Sequence, residues 1–245
     1  MQDHELAGLL AQEAGDLLLG IRGQAVAEGW PSYRLQDEGD RQAHRHLVDR
    51  LAELRPDDGL LSEEGTDDGA RLEANRVWIL DPLDGTRDFG RPKSIEWAVH
   101  VALVEGGRPT AAAVALPASG QLYGTGLSAA FRPLERERPV VVTSRSQWGE
   151  AEVVAAAIGG VVRSFGSAGV KAMAVVGGSA DVYVHPSGLY EWDACAPAAV
   201  ATAAGLDASG LDGTTLTFNK PHPVVPGLLI CRPEYTGRAR SALRW

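Results

Sequence analysis

Carboxylates gather in three short stretches of this 245-residue chain. Glu63 and Glu64 follow the apolar run Gly59-Leu60-Leu61-Ser62. Asp81 and Asp84 frame Pro82-Leu83 after Val77-Trp78-Ile79-Leu80, and Asp193 follows Glu191-Trp192. An acid that closes an apolar run sits at a strand end, where a rigid scaffold holds it in a fixed place. Pro82 favours a turn that brings Asp81 and Asp84 to one side, and Gly85 lets the backbone turn tightly against a ligand. Hard oxygen donors at close quarters suit Mg²⁺, and carboxylates this crowded repel one another unless cations are present. Asp84 to Arg87 can also open a helical turn whose free N–H groups suit a phosphate. The chemistry on offer is cation binding beside an anionic ligand.

Each piece has a plainer reading when taken alone. Asp-x-x-Asp also arises in capped turns, and Glu63-Glu64 can be only the charged start of a loop. Asp193, before an Ala-rich helix, is either an N-cap or an acid that reaches a metal at the mouth of a sheet. Asp40, after Gly39 and at the start of the second helix, can likewise be only a cap. Gly166-Ser167-Ala168-Gly169 reads as a phosphate-binding turn or as a cap. The histidines His4, His44, His46, His100, His185 and His222 read as surface or packing residues, since the closest pair, His44 and His46, points apart on a helix. The chain has no Gly-x-Ser-x-Gly elbow, no zinc-ligand spacing and no Gly-rich kinase loop.

Apolar periodicity predicts the elements that carry these residues. Helices are expected over about Glu5–Ile21 and Asp40–Leu54, the second stopped by Pro56, with a loop between Gly23 and Pro31. Strands follow at 59–62, 77–80 and 97–103, then an antiparallel pair at 110–116 and 121–125. From Pro139 onward strands and helices alternate, which suggests an α/β unit. The expected division is therefore an N-terminal α+β half, residues 1–138, with the Glu-Glu and Asp-Pro-Leu-Asp-Gly-Thr motifs. A C-terminal α/β half, residues 139–245, carries Trp192-Asp193, and the Arg-rich stretch 132–138 forms the seam.

Composition narrows the class. Lys plus Arg is 23 and Asp plus Glu is 32, a formal charge of −9, which argues against a nucleic-acid polymer as partner. No run of about 18 apolar residues occurs, so no spanning helix is expected. The acidic, polar N-terminus does not resemble a signal peptide. Cys195 and Cys231 read as reduced thiols, and a cytoplasmic location is expected.

Taken together, Leu61-Ser62-Glu63-Glu64, then Trp78-Ile79-Leu80-Asp81-Pro82-Leu83-Asp84-Gly85-Thr86, then Glu191-Trp192-Asp193 resemble the inositol monophosphatase superfamily of Mg²⁺-dependent phosphatases over nearly the whole chain. Thr86-Arg87-Asp88-Phe89, Gly166-Ser167-Ala168-Gly169-Val170-Lys171 and Phe218-Asn219-Lys220-Pro221 resemble its 3′(2′),5′-bisphosphate nucleotidase branch. The resemblance implies a layered αβαβα sugar-phosphatase sandwich. It also implies two or three Mg²⁺ per site, with Glu63, Asp81 and the Leu83 carbonyl as ligands of one and Asp81, Asp84 and Asp193 of another. Asp40 and Thr86 would orient and deprotonate the attacking water, with Glu64 nearby. Gly85 and Thr86 N–H groups would hold the phosphate, which Glu63, Leu83, Asp84 and Asp193 meet at the same centre, and Ser167 and Lys171 would contact the nucleotide.

The implied activity is removal of the 3′-phosphate of adenosine 3′,5′-bisphosphate, with 3′-phosphoadenylyl sulfate as a related substrate and lithium as an inhibitor. Inositol 1-phosphate and fructose 1,6-bisphosphate stay open as alternatives, as does a catalytically silent ligand-binding relative. Members are often dimers, so a homodimer is an open option. Two departures stand out. Leu35-Gln36-Asp37-Glu38-Gly39-Asp40 lacks the Lys and Ser-Pro-Val-Thr of many relatives, implying a reduced loop before Asp40, and Asp88 replaces a Glu, implying altered substrate choice.

Overall fold

The computed structural model describes residues 1–127 and 137–243. In chain order the elements are α1 (Asp3–Glu28), α2 (Ser32–Leu54), β1 (Gly59–Ser62), β2 (Arg76–Asp84), α3 (Thr86–Phe89), β3 (Ala98–Glu105), β4 (Arg108–Leu116) and β5 (Gln121–Gly124). After the gap come β6 (Val140–Thr143), α4 (Trp148–Ile158), β7 (Val161–Ser164), α5 (Ala168–Val176), β8 (Val182–His185), β9 (Leu189–Tyr190) and α6 (Glu191–Ala203). The last elements are β10 (Asp207–Ser209), β11 (Val224–Val225), β12 (Leu228–Cys231) and α7 (Pro233–Ala242). The stretch 132–138 lies outside the described residues except for its last two.

Residue parity along the strands explains the layers. The first sheet runs β1-β2-β3-β4-β5, with β1 parallel to β2 and the rest antiparallel. One face presents Trp78, Leu80, Val99, Val101, Leu103 and Ala113 to the apolar stripes of α1 and α2. The other presents Val77, Ile79, Ala98, Ala102 and Val114 to α5 and α6. Those two helices also meet Val140, Val142, Tyr183 and Ile230 of the second sheet, ordered β10-β12-β8-β6-β7. Its far face, through Val141, Val182, Val184 and Leu229, packs on α4 and α7. The order is thus helix pair, sheet, helix pair, sheet, helix pair, the αβαβα sandwich, and the middle core draws on both sheets.

Two boundaries differ from the sequence expectation. α1 continues through Gly23 to Glu28, because Arg22 and Ala25 face the core and Arg22 Nη2 reaches the Ser94 carbonyl at 2.8 Å. The helix stops only where Gly29 turns left-handed at φ 68°. α2 starts at Ser32, so Asp40 lies inside a helix and caps nothing. The segment before Asp40 is helix where the resemblance implied a reduced loop. Both cysteines are buried and free. No helix among the described residues is long and apolar enough to cross a membrane.

Candidate active site

β2 brings the first acids together by an irregularity in its pairing. Asp81 pairs with His100 of β3, yet Asp84 pairs with Ala98, so three steps along β2 match two along β3. The extra residue is a β-bulge at Pro82-Leu83, where proline removes a ladder donor. In a regular strand Asp81 and Asp84 would face opposite sides. The bulge restores Asp84 to the Asp81 face, towards α5, while Leu83 joins Leu80 and Trp78 under α1 and α2. The strand therefore runs through Asp84, and the bulge does what the expected turn at Pro82 was to do.

The neighbouring elements complete the cluster. β1 runs parallel to β2 with Ser62 opposite Leu80, and the Glu63 N–H donates to the Leu80 carbonyl at 3.3 Å. The next position sets the Glu63 carboxyl beside Asp81. Gly85 turns with φ 91°, and a Cβ there would lie 2.7 Å from the Glu96 carbonyl oxygen, so the reversal into α3 needs glycine. The Thr86 hydroxyl then lies 3.1 Å from the Leu83 carbonyl and 3.3 Å from Asp40 Oδ1. α2 comes near enough for this because residue 39 has no side chain; a Cβ on Gly39 would stand 2.6 Å from the Phe89 ring and 3.0 Å from Leu83. Asp193 is the third residue of α6 and accepts the Tyr190 N–H at 3.3 Å, a role one turn inside the expected cap.

The electrostatics follow from acids gathered in a confined space. Burial, then the charge of Glu64, pushes Asp40 up to about 7. Burial, with the charges of Asp84 and Glu64, pushes Glu63 up to about 7. Burial and then Asp84 do the same to Asp193, up to about 7. Asp81 is driven well above the carboxylate range by burial and by Asp84 and Glu63. Asp84 moves the other way: burial opposes ionisation, but His100 and Lys171 overcome it and hold the carboxyl below the usual range. Its Oδ2 accepts the Gly169 N–H at 2.6 Å and the Ser167 hydroxyl, and its Oδ1 accepts the Ala168 N–H at 3.1 Å.

These residues fit a divalent cation. Asp81 Oδ2 is buried without a hydrogen-bond donor, a costly condition for a carboxylate oxygen unless a positive charge meets it. Oxygen atoms of Asp81 and Asp84 and a ring nitrogen of His100 lie within 4.8 Å of one another. The donor set is mostly hard carboxylate oxygen, which matches Mg²⁺ in preference to softer metals.

The structure gives other nominated residues supporting positions. Ser167 is 1% exposed, caps α5 by accepting the Val170 N–H at 3.0 Å, and donates to Asp84. Lys171 is also 1% exposed; its ammonium donates to the carbonyls of Gly166 and Ser167 at 2.8 Å each. Both residues hold the turn before α5 and turn their polar atoms inward. Asp88 is buried as well, accepting from Arg91 at 3.1 Å, Ser94 at 3.2 Å and Arg145 at 3.2 Å, so it clasps chain segments together. Glu191 is fully buried and accepts the N–H groups of Asn219 at 2.6 Å and Lys220 at 3.2 Å, which anchors the Phe218–Pro221 segment beside α6.

Two histidines lie beside the acids, and one of them, His100, leaves the surface-or-packing class. His44, one turn after Asp40 on α2, sits 2.9 Å from the Ser62 hydroxyl at the end of β1. His100 is fully buried, 3.2 Å from Asp84 Oδ2 and 3.7 Å from Asp81 Oδ2. The signal for His100 was present in the alternation of β3, since it shares the parity of Ala98 and Ala102 and so the face on which Asp81 stands.

Comparison with known proteins gives the chain a family. The model of the inositol monophosphatase family matches residues 5–242. A 3′-phosphoadenosine 5′-phosphate phosphatase of Mycobacterium bovis is 45% identical over 239 residues, covering 91% of this chain and 86% of that protein. The 3′(2′),5′-bisphosphate nucleotidase CysQ of Salmonella typhimurium is 30% identical, covering 85% of this chain and 91% of that one. The crystal structure of inositol monophosphatase II from Staphylococcus aureus superposes with a TM-score of 0.79 at 21% identity, covering 96% of this chain and 91% of that chain. With its layered fold, its bulged Asp-Pro-Leu-Asp strand and its Trp-Asp helix start, this chain belongs to the inositol monophosphatase family.

Proposed function

We propose that this protein removes the 3′-phosphate of adenosine 3′,5′-bisphosphate in a Mg²⁺-dependent reaction, leaving AMP and phosphate. The observation that carries the choice of substrate is the 45% identity, over 91% of the chain, with a phosphatase named for that nucleotide. Metal dependence rests on the crowded acids and on the orphaned Asp81 Oδ2. Glu63, Asp81 and the Leu83 carbonyl would hold one Mg²⁺, and Asp81, Asp84 and Asp193 a second. Bound Mg²⁺ supplies Lewis-acid stabilisation of charge on the attacking and leaving oxygens.

The protein's own groups do the rest. Phosphoryl transfer depends mainly on positioning and charge, with little covalent work for the protein. Water attacks phosphorus in line, the bond to the ribose 3′-oxygen breaks, that oxygen takes up a proton from solvent to become the hydroxyl of AMP, and no phosphoenzyme forms. The Thr86 hydroxyl orients the water, and Asp40, 3.3 Å behind it, takes the proton. Burial and the charge of Glu64 suit Asp40 to this, because they raise the carboxyl to about 7, and a stronger base accepts a proton more readily. Glu64 adds negative charge beside Asp40. The N–H groups of Gly85 and Thr86 hold the phosphate, while Ser167 and Lys171 fix the turn that grips Asp84.

The test is a panel of adenosine 3′,5′-bisphosphate, inositol 1-phosphate and fructose 1,6-bisphosphate with Mg²⁺. The bisphosphate nucleotide is expected to give the highest kcat/KM. Faster turnover of inositol 1-phosphate would reject the assignment.

A further inference from the structure

We propose that His100 is a positioning residue of the metal centre, a single buried ring that fixes the elements carrying Asp81, Asp84 and Asp193 relative to one another. The inference deepens the metal-dependent reading above and rests on it. β3 places His100 directly opposite Asp81 in the β2 pairing. Its Nε2 lies 3.2 Å from Asp84 Oδ2 across the bulge, and its Nδ1 lies 3.1 Å from the Trp192 carbonyl oxygen, one residue before Asp193. One side chain on β3 thus touches the strand that bears two of the acids and the helix start that bears the third.

The ring faces an acceptor at both nitrogens. A carbonyl oxygen cannot donate, so the contact with Trp192 takes a proton on Nδ1. Held between Asp84 and the Trp192 carbonyl, the ring would act on the metal through the carboxylates it positions. Its place is also enforced from the far side. A Cβ at Gly169 would collide with Nε2 and stand 2.9 Å from the Ala98 side chain, so α5 reaches the site only with glycine there. That close approach is what lets the Gly169 N–H grip Asp84 Oδ2 at 2.6 Å. Outer partners of this kind orient ligands, and losing one typically weakens metal affinity about 10- to 100-fold.

The experiment titrates Mn²⁺, as an electron-spin probe of the site, into metal-free wild type, His100→Asn and His100→Gln, and records kcat, KM and thermal unfolding of each. The expected result is Mn²⁺ affinity reduced about 10- to 100-fold in His100→Asn. KM for the nucleotide at saturating Mn²⁺ should stay unchanged, and His100→Gln, whose longer side chain brings its amide donor closer to the place of Nε2 than that of Asn does, should recover part of the affinity. The wild-type spin signal should lack the splitting of a directly bound ring nitrogen. Wild-type Mn²⁺ affinity in His100→Asn would overturn the inference, and if that variant does not fold the same criterion passes to His100→Ala. A directly bound nitrogen in wild type would overturn it in favour of ligation. Absence of any Mn²⁺ binding in wild type would instead overturn the metal-dependent reading, and this inference with it.

Discussion

Thr86 has one hydroxyl proton and two acceptors within reach, the Leu83 carbonyl and Asp40. Its share in the reaction is to aim water and pass a proton, so its removal should be felt in turnover. Thr86→Ala is expected to lower kcat by about 10²–10⁴-fold, the usual worth of a positioned proton-transfer group. Metal affinity should change little, because Thr86 is not itself among the proposed ligands. Steady-state kinetics across a Mg²⁺ series would check this, and equal losses in kcat and metal affinity would move Thr86 into the metal shell. The key acids were legible at this scale, because type and spacing survive without coordinates. The bulge was not: Pro82 announced a reversal, but whether it turns the chain or re-phases a strand depends on the pairing with β3, seen only once Asp84 lies opposite Ala98.

Where α5 packs on β8, three polar side chains meet, Lys171 and Tyr183 buried and His185 partly so. The Lys171 ammonium sits 5.4 Å over the Tyr183 ring, and the Tyr183 hydroxyl is 3.2 Å from His185 Nδ1. Burial, and then the charge of Lys171, pushes His185 down to about 4 from 6.5. Between those values the unfolded chain binds the proton more readily than the folded one, so stability is full above pH 6.5 and falls as pH drops towards 4. By pH 5 the cost should be roughly 1–2 kcal/mol. His185→Gln removes the titration, so its Tm should fall less than that of wild type between pH 7 and pH 5 in Mg²⁺. Parallel curves from differential scanning calorimetry would count against the assignment. The sequence reading found the strands and helices here by their periodicity. α1 was expected to end before Gly23, and α2 to begin only at Asp40, which reads as a possible cap. Tertiary contact overrode both signals, through Arg22 on the Ser94 carbonyl and Gly39 against Phe89.

For the whole molecule, the net charge of −9 gains a local meaning. Asp40, Glu63, Glu64, Asp81, Asp84 and Asp193 lie around one centre, so the folded chain needs cations there more than the unfolded chain does. A ligand that binds only the folded state stabilises it by RT ln(1 + [L]/Kd), about 2.7 kcal/mol at a hundredfold excess over Kd. Chelation with EDTA is therefore expected to abolish phosphatase activity and to lower Tm, and Mg²⁺ should restore both. A Tm indifferent to chelator would argue that the acids are met by something other than a cation. The layer order was legible only through resemblance, since periodicity supplies two helices and a sheet followed by an alternating half without saying that α5 and α6 lie between the sheets.

The grip on Asp84 also decides how many teeth it can offer a cation. Gly169, Ser167 and His100 crowd Oδ2, while Oδ1 meets only the Ala168 N–H. Asp84 would thereby offer a bound cation Oδ1 alone. Ca²⁺ commonly takes both oxygens of a carboxylate in a large, irregular shell, whereas Mg²⁺ takes one oxygen at each corner of a small octahedron. If the site holds Mg²⁺ as proposed, the turn before α5, far from being only a helix cap, would work as a filter against the larger of the two alkaline-earth ions.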